Sequence, residues 1–178
     1  MNTVKLNTTR LELIPLSRNQ LIDYLAGDEI LIRELGPVSR DILTEALRVA
    51  INLKLEIMAG IAQQDQPWIT YWLMVLKENQ SGIGMLGYKG APDYRGQVEI
   101  GYGIDPAYQN QGYTTEAVNR LIRWAFKDPR CQRITAPGTR KDNPASNQIL
   151  EKVGMKIYQE TTDAYSWALD RSVYSENP

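Results

Sequence analysis

The chain has 178 residues, a net charge of −1, no histidine and one cysteine. That length suits one domain, 1–178, with a substantial core, and the even charge balance excludes a basic nucleic-acid surface. Missing histidine removes the commonest general base and every Ser-His or Cys-His dyad, while a lone Cys131 excludes an intramolecular disulfide and a cysteine-cluster metal site.

The segment Met1–Leu6 lacks the apolar core of a leader peptide, and no run reaches the ~18 apolar residues of a membrane span. The expectation is a cytoplasmic protein without a metal, a nucleic-acid partner or a membrane partner. Its acid–base chemistry must then use carboxylates, tyrosine, serine, lysine or water. Thr9–Leu16 alternates as a strand, and Ser17 can cap a short helix that Gly27 closes. Ile42, Ala46, Val49, Leu53, Ile57 and Ile61 recur at helical steps, predicting a helix over 39–62 that packs on its own sheet or shapes a dimer contact. Trp68–Leu76, Ile83–Tyr88 and Gln97–Ile104 read as a meander of three strands with turns at 79–82 and 90–96. A helix over 114–126 follows and stops before Asp128-Pro129; then come a strand over 133–136, a helix opened by Asn143-Pro144 and ended by Gly154, and strands over 155–159 and 165–169.

Three segments carry chemistry. In the strand Val98–Ile104, Val98, Ile100, Tyr102 and Ile104 share one face, while Glu99, Gly101 and Gly103 share the other. Glycines inside a strand strip that face, either for a close-packed neighbour or for a ligand that approaches the backbone beside Glu99. The turn Gln109-Asn110-Gln111-Gly112-Tyr113-Thr114-Thr115 sits at the mouth of a helix, where free N–H groups and the helix dipole favour phosphate. It lacks the lysine of a Walker loop and the glycines of a dinucleotide fingerprint. In the third segment Asn143, Pro144 and Gly154 delimit a helix whose first turn offers Asn143 and Ser146 to a polar ligand, with Arg140, Lys141 and Lys152 as possible phosphate partners.

Taken in order, Glu99-Ile100-Gly101-Tyr102, then Asp105-Pro106…Gln109…Gly112…Thr114-Thr115-Glu116-Ala117, then Asn143…Ser146…Leu150-Glu151-Lys152…Gly154-Met155 resemble the GNAT N-acetyltransferases. With Thr9-Arg10-Leu11-Glu12-Leu13 as the opening strand, the likeness is to the ribosomal-protein-alanine (Rim-type) branch, and it runs from Thr9 to Trp167. The resemblance implies an α+β (mixed α/β) fold: a mixed, mostly antiparallel sheet of six to seven strands flanked by helices. It implies acetyl-CoA as donor co-substrate, with the pyrophosphate on Gln109–Thr115, the pantetheine arm along Tyr102, Gly103 and Ile104, and Asn143, Ser146 and Lys152 on the opposite wall.

It further implies direct attack of a primary amine, from a protein N-terminus or a small molecule, on the thioester in a ternary complex. Glu99 is the candidate base. Leu150 stands where many relatives carry a tyrosine acid, so Ser146 is the preferred proton donor, with Tyr158, Tyr113 or water as weaker choices. Gln109 replaces a frequent arginine and Gly103 a frequent tryptophan. A non-catalytic acyl-CoA sensor is the alternative, and the chain is expected to be a monomer or homodimer.

Overall fold

A computed structural model of the protein describes residues 4–27 and 29–174. The leader reading thus falls partly on residues 1–3, outside the described residues. Strands β1 (Leu6–Asn7), β2 (Leu11–Pro15), β3 (Trp72–Leu76), β4 (Ser81–Tyr88), β5 (Gln97–Ile104), β6 (Arg133–Arg140), β7 (Lys156–Glu160) and β8 (Ala164–Asp170) form one sheet. The helices are α1 (Arg18–Ala26), α2 (Glu29–Leu35), α3 (Glu45–Met58), α4 (Gln66–Ile69), α5 (Tyr113–Ala125) and α6 (Pro144–Lys152).

The eight strands run in the order β1-β2-β3-β4-β5-β6-β8-β7. This is the mixed, mostly antiparallel sheet expected, with eight strands rather than six to seven. The added strand is β1, whose two residues pair with Leu13 and Glu12 and are too few to show alternation in sequence. Every neighbouring pair is antiparallel except β5–β6, where α5 makes the crossover that parallel strands need. All of β3 and nearly all of β4 is buried, so both read as continuous apolar runs. Trp68, Trp72, Tyr88 and Trp124 cluster beside them, with Trp68 and Trp124 at 4.5 Å between ring centroids.

The predicted helix over 39–62 is shorter, because Thr44 is its N-cap and Ser39 is engaged elsewhere. Its buried stripe is Ile51, Lys54, Leu55 and Met58, leaving Val49, Leu53 and Ile57 exposed. Lys54 points inward, donates to the carbonyls of Ile69 and Tyr88, and lies over the Tyr71 ring. Burial, with Lys89 adding to it, lowers its pKa to about 8. The strand expected from Trp68 begins at Trp72 instead, since Pro67 lies in the first turn of the short α4 and its carbonyl accepts from the Trp72 indole. The strand expected over 133–136 continues to Arg140 past an irregularity between Ala136 and Thr139.

The register between β5 and β6 positions the site. Pairing covers Gln97↔Arg133, Val98↔Ile134 and Glu99↔Thr135, and goes no further. Beyond Glu99, β5 remains paired to β4 through Ile104, while β6 continues alongside β8. The two strands splay into a wedge, and Gly101–Ile104 present a backbone edge without a strand partner. At the end of that edge lies the start of α5.

Candidate active site

The connection from β5 to α5 is built from backbone. The Asp105 carboxylate accepts from the Ala107 amide at 2.8 Å and from the Ser39 hydroxyl at 2.6 Å, fixing a short 3-10 turn. Asn110 and Gly112 take the left-handed conformation, at φ 60° and 80°. Gly112 is the N-cap of α5 and offers no side-chain cap. Among the described residues, the amides of Asn110, Gln111, Gly112, Tyr113, Thr114 and Thr115 have no protein acceptor; the first helical bond there is Glu116 N–H to the Gly112 carbonyl. Free amides at the positive end of a helix dipole make an anion seat.

Arg10, the residue before β2, grips this connection. Its amide donates to Glu116 Oε1 at 2.8 Å, its Nε to Oε2 at 2.7 Å, and its Nη1 to the Gln111 carbonyl at 2.9 Å. Its guanidinium lies 4.3 Å from the centre of the Tyr113 ring. Partial burial of Glu116 alone would raise its pKa, but hydrogen bonds from Thr8 and Arg10 and the Arg10 charge outweigh it and hold the carboxyl below its ordinary range.

A cleft of about 380 Å³ joins the amide loop to the wedge. Tyr102, Gly103, Ile104, Gln109, Asn110, Gly112, Thr114, Thr115, Asn143, Ser146 and Lys152 line it, together with Ala145, Gln148 and Ile149. Three predicted residues stand outside its lining: Gln111, Tyr113 and Glu99. Gln111 turns its side chain back to the Ala107 carbonyl, and Tyr113 is buried under Arg10. Arg140 and Lys141 are taken up by Asp142 and Glu160, which leaves Lys152 as the cation on the cleft wall.

A Cβ added at Gly101 or Gly103 would meet nothing within 4 Å. The stripped face of β5 therefore borders open space rather than a close-packed neighbour. Glu99 shares that face and pairs with the exposed Lys89, the residue that follows β4. An ion pair with one partner this exposed is worth at most about 1 kcal/mol.

On the other side, the Tyr102 hydroxyl lies 2.8 Å from Ser146 Oγ in the first turn of α6, whose N-cap Asn143 accepts from the Ser146 amide. Burial raises the Tyr102 pKa, and the Ser146 contact partly offsets this. Nothing in the sequence marked this contact. Leu150, at the position read as lacking an acid, is fully buried. Burial also pushes the Cys131 thiol up to about 11, which removes it from thiolate chemistry.

A larger groove of about 780 Å³ lies between the end of β2, the start of α1 and the segment 62–67. Two of the amides there are engaged by side chains, since Ser17 and Gln20 form a capping box. No acid lines that groove.

A family model described as an acetyltransferase (GNAT) domain matches residues 10–156. The chain belongs to the GNAT acetyltransferase family. Among its relatives, YjdG, an uncharacterised N-acetyltransferase of Bacillus subtilis (strain 168), is 34% identical over 96 residues, or 54% of this chain and 56% of that protein. The ribosomal-protein-serine acetyltransferase of Escherichia coli (strain K12) is 31% identical over 81 residues, 46% of this chain and 44% of that one. The chain thus spans about half the length of these curated relatives in the matched stretches. A solved ribosomal L7/L12 α-N-protein acetyltransferase in complex with coenzyme A superposes with a TM-score of 0.61 at 15% identity, covering 94% of this chain and 98% of that one. These likenesses fit the GNAT fold and its Rim-type branch. Among the described residues, no helix is long and apolar enough to cross a membrane, and no three His, Cys, Asp or Glu side chains gather where a metal ion could be held.

Proposed function

We propose that this chain is a single cytoplasmic acetyltransferase domain that transfers the acetyl group of acetyl-CoA to a primary amine in a ternary complex. The observation that carries this reading is the continuity of the free-amide loop at residues 110–115 with the unpaired backbone edge of β5. An anion seat and a strand edge in line suit a ligand with a pyrophosphate at one end and an amide-bearing arm at the other. Pantetheine has such amides and can add to β5 along Tyr102–Ile104. Membership of the family and the named activities of its relatives support the same donor.

In the proposed reaction the substrate ammonium takes the place of Lys89 beside Glu99, which accepts its proton directly or through one water. The amine nitrogen then bonds to the thioester carbonyl carbon, and unpaired N–H groups of β5 stabilise the developing oxyanion. As the carbon–sulfur bond breaks, Ser146 gives its proton to the leaving thiolate, the second amine proton, released as the amide forms, returns through water to Ser146, and Tyr102, in contact with Ser146 Oγ, holds the serine in place. The acceptor is a protein N-terminus or a small-molecule amine. The pairing of Glu99 with Lys89 and the burial of Leu150 favour one competing reading, an acyl-CoA sensor without catalysis.

Release of CoA thiol across a panel of peptides, polyamines, aminoglycosides and amino acids tests both readings. Glu99→Gln is expected to lower kcat by about 100-fold or more, and Ser146→Ala by about tenfold, with CoA affinity unchanged in each. Tight CoA binding without turnover on any amine would replace the transferase reading with the sensor.

A further inference from the structure

Arg10 is distant from the candidate loop in sequence, standing 106 positions before Glu116. It nevertheless makes four contacts to that one connection: two with the Glu116 carboxylate, one with the Gln111 carbonyl and one with the Tyr113 ring. Glu116 is the acid in the first turn of α5. Such an acid suits an isolated helix but is unfavourable beside a seat for a second anion, where like charges repel. Gln111 poses a related problem, because a carbonyl facing the seat would also repel phosphate.

Arg10 answers both. The guanidinium neutralises Glu116 at 2.7 Å and draws the Gln111 carbonyl to Nη1 at 2.9 Å. A trans peptide is planar, with its C=O and N–H pointing opposite ways. Fixing the Gln111 carbonyl toward Arg10 therefore sends the Gly112 N–H away from Arg10, on the side where Gly112 lines the cleft. Arg10 is anchored in turn by the sheet, since its carbonyl accepts from the Lys77 amide at 3.0 Å.

We propose that Arg10 is the positioning residue of the pyrophosphate seat, cancelling the charge of Glu116 and orienting the Gln111–Gly112 peptide so that the loop amides converge on the anion. The inference rests on the acetyl-CoA reading above and names the residue that shapes its donor site. It gives a function to the opening-strand arginine and explains how Gln109 can stand where a guanidinium is frequent. The cation acts from behind the loop, and the backbone makes the contact.

Calorimetric titration with two probes tests this, using CoA and pantetheine, which lacks the pyrophosphate. Arg10→Met keeps the apolar stem and should weaken CoA about tenfold, the worth of a lost charged hydrogen bond, with pantetheine unchanged. Arg10→Lys keeps the charge but cannot span Glu116 and Gln111 together, so its CoA affinity should fall between the two. Adding Glu116→Gln to Arg10→Met should restore part of the loss. Glu116→Gln alone, which leaves Arg10 its Gln111 contact, should bind CoA at least as tightly as the wild type and serves if Arg10→Met does not fold. Equal CoA affinity in wild type and Arg10→Met, or an equal loss for CoA and pantetheine, would overturn the role of Arg10 alone. A wild type that binds no CoA would overturn the donor reading, and this role with it.

Discussion

Helices α1 and α5 both follow a strand and a short connection, yet their N-termini are finished in opposite ways. At α1, Ser17 accepts from the Gln20 amide at 3.2 Å and Gln20 returns a bond to the Ser17 amide at 2.9 Å. At α5 the corresponding position is Gly112, which has no side chain to offer, and the amides after it stay open. A cap of the first kind is worth about 1 kcal/mol of stability. Leaving it out forgoes that stability and keeps the donors for something else. The larger groove lies beside the helix whose side chains cap it, and the smaller cleft beside the helix left without a side-chain cap. Volume alone does not single out the smaller cleft; the state of the backbone donors does.

The most direct way to break this contrast is to add a charge at the mouth of α5. A Cβ at Gly112 would lie 3.4 Å from the Arg10 guanidinium, so Gly112→Asp would set a second carboxylate on Arg10 beside the open amides, and titration calorimetry should show CoA affinity falling by about 100-fold from anion repulsion and a disturbed loop. Part of any loss in stability would come from the left-handed φ of 80°, which costs a non-glycine residue about 1–2 kcal/mol. The reciprocal change, Ser17→Ala, should cost about 1 kcal/mol in chemical denaturation and leave CoA binding untouched. An effect of Ser17→Ala on CoA would remove the distinction between the two ends.

A smaller effect concerns pH. Of α1 and α5, α5 alone carries an acid in its first turn, and the folded-state pKa of that acid, Glu116, lies below its ordinary range. A depressed carboxyl contributes stability that is fully present above the unfolded value of about 4.3 and is lost as pH falls through the folded value. Acid denaturation of Glu116→Gln should accordingly be less steep than that of the wild type below about pH 4.3, with the two curves parallel above it.

Much of this could be read from residue order. The cap at Ser17, the stop at Gly27, the stripe of α5 and the Asn143-Pro144 start of α6 are local signals, each complete within a few residues, and each has its expected place in the fold. The 39–62 helix was misjudged because apolar periodicity ran on through Ile42 and Ile61. Those residues pack from loops, and Ser39 is occupied by Asp105 and the Gly82 carbonyl. Within the candidate site, the glycine-stripped face of β5 and the loop were legible because both are consecutive stretches. The Tyr102–Ser146 contact and the Arg10–Glu116 clamp were not, since partners 44 and 106 positions apart leave no periodic trace. In sequence Tyr102 reads as a side chain on the core face and a source of backbone contacts, and its hydroxyl only acquires a role once α6 is placed against β5.

The splay of β5 from β6 after Glu99 has a consequence for how freely this chain can change. A ligand held by main-chain groups is indifferent to most of the side chains that accompany them. Gln109 and Thr115 can drift without erasing recognition by the backbone, because the peptide unit is the same in almost every residue, whereas Asn110 is held to residues that tolerate its left-handed φ of 60°. The constraint falls instead on the few positions whose bulk must stay absent or whose partners hold the loop in shape. In the proposed reading, donor binding is thus robust to most side-chain changes, and the residues around it are left available for selection to fit an acceptor.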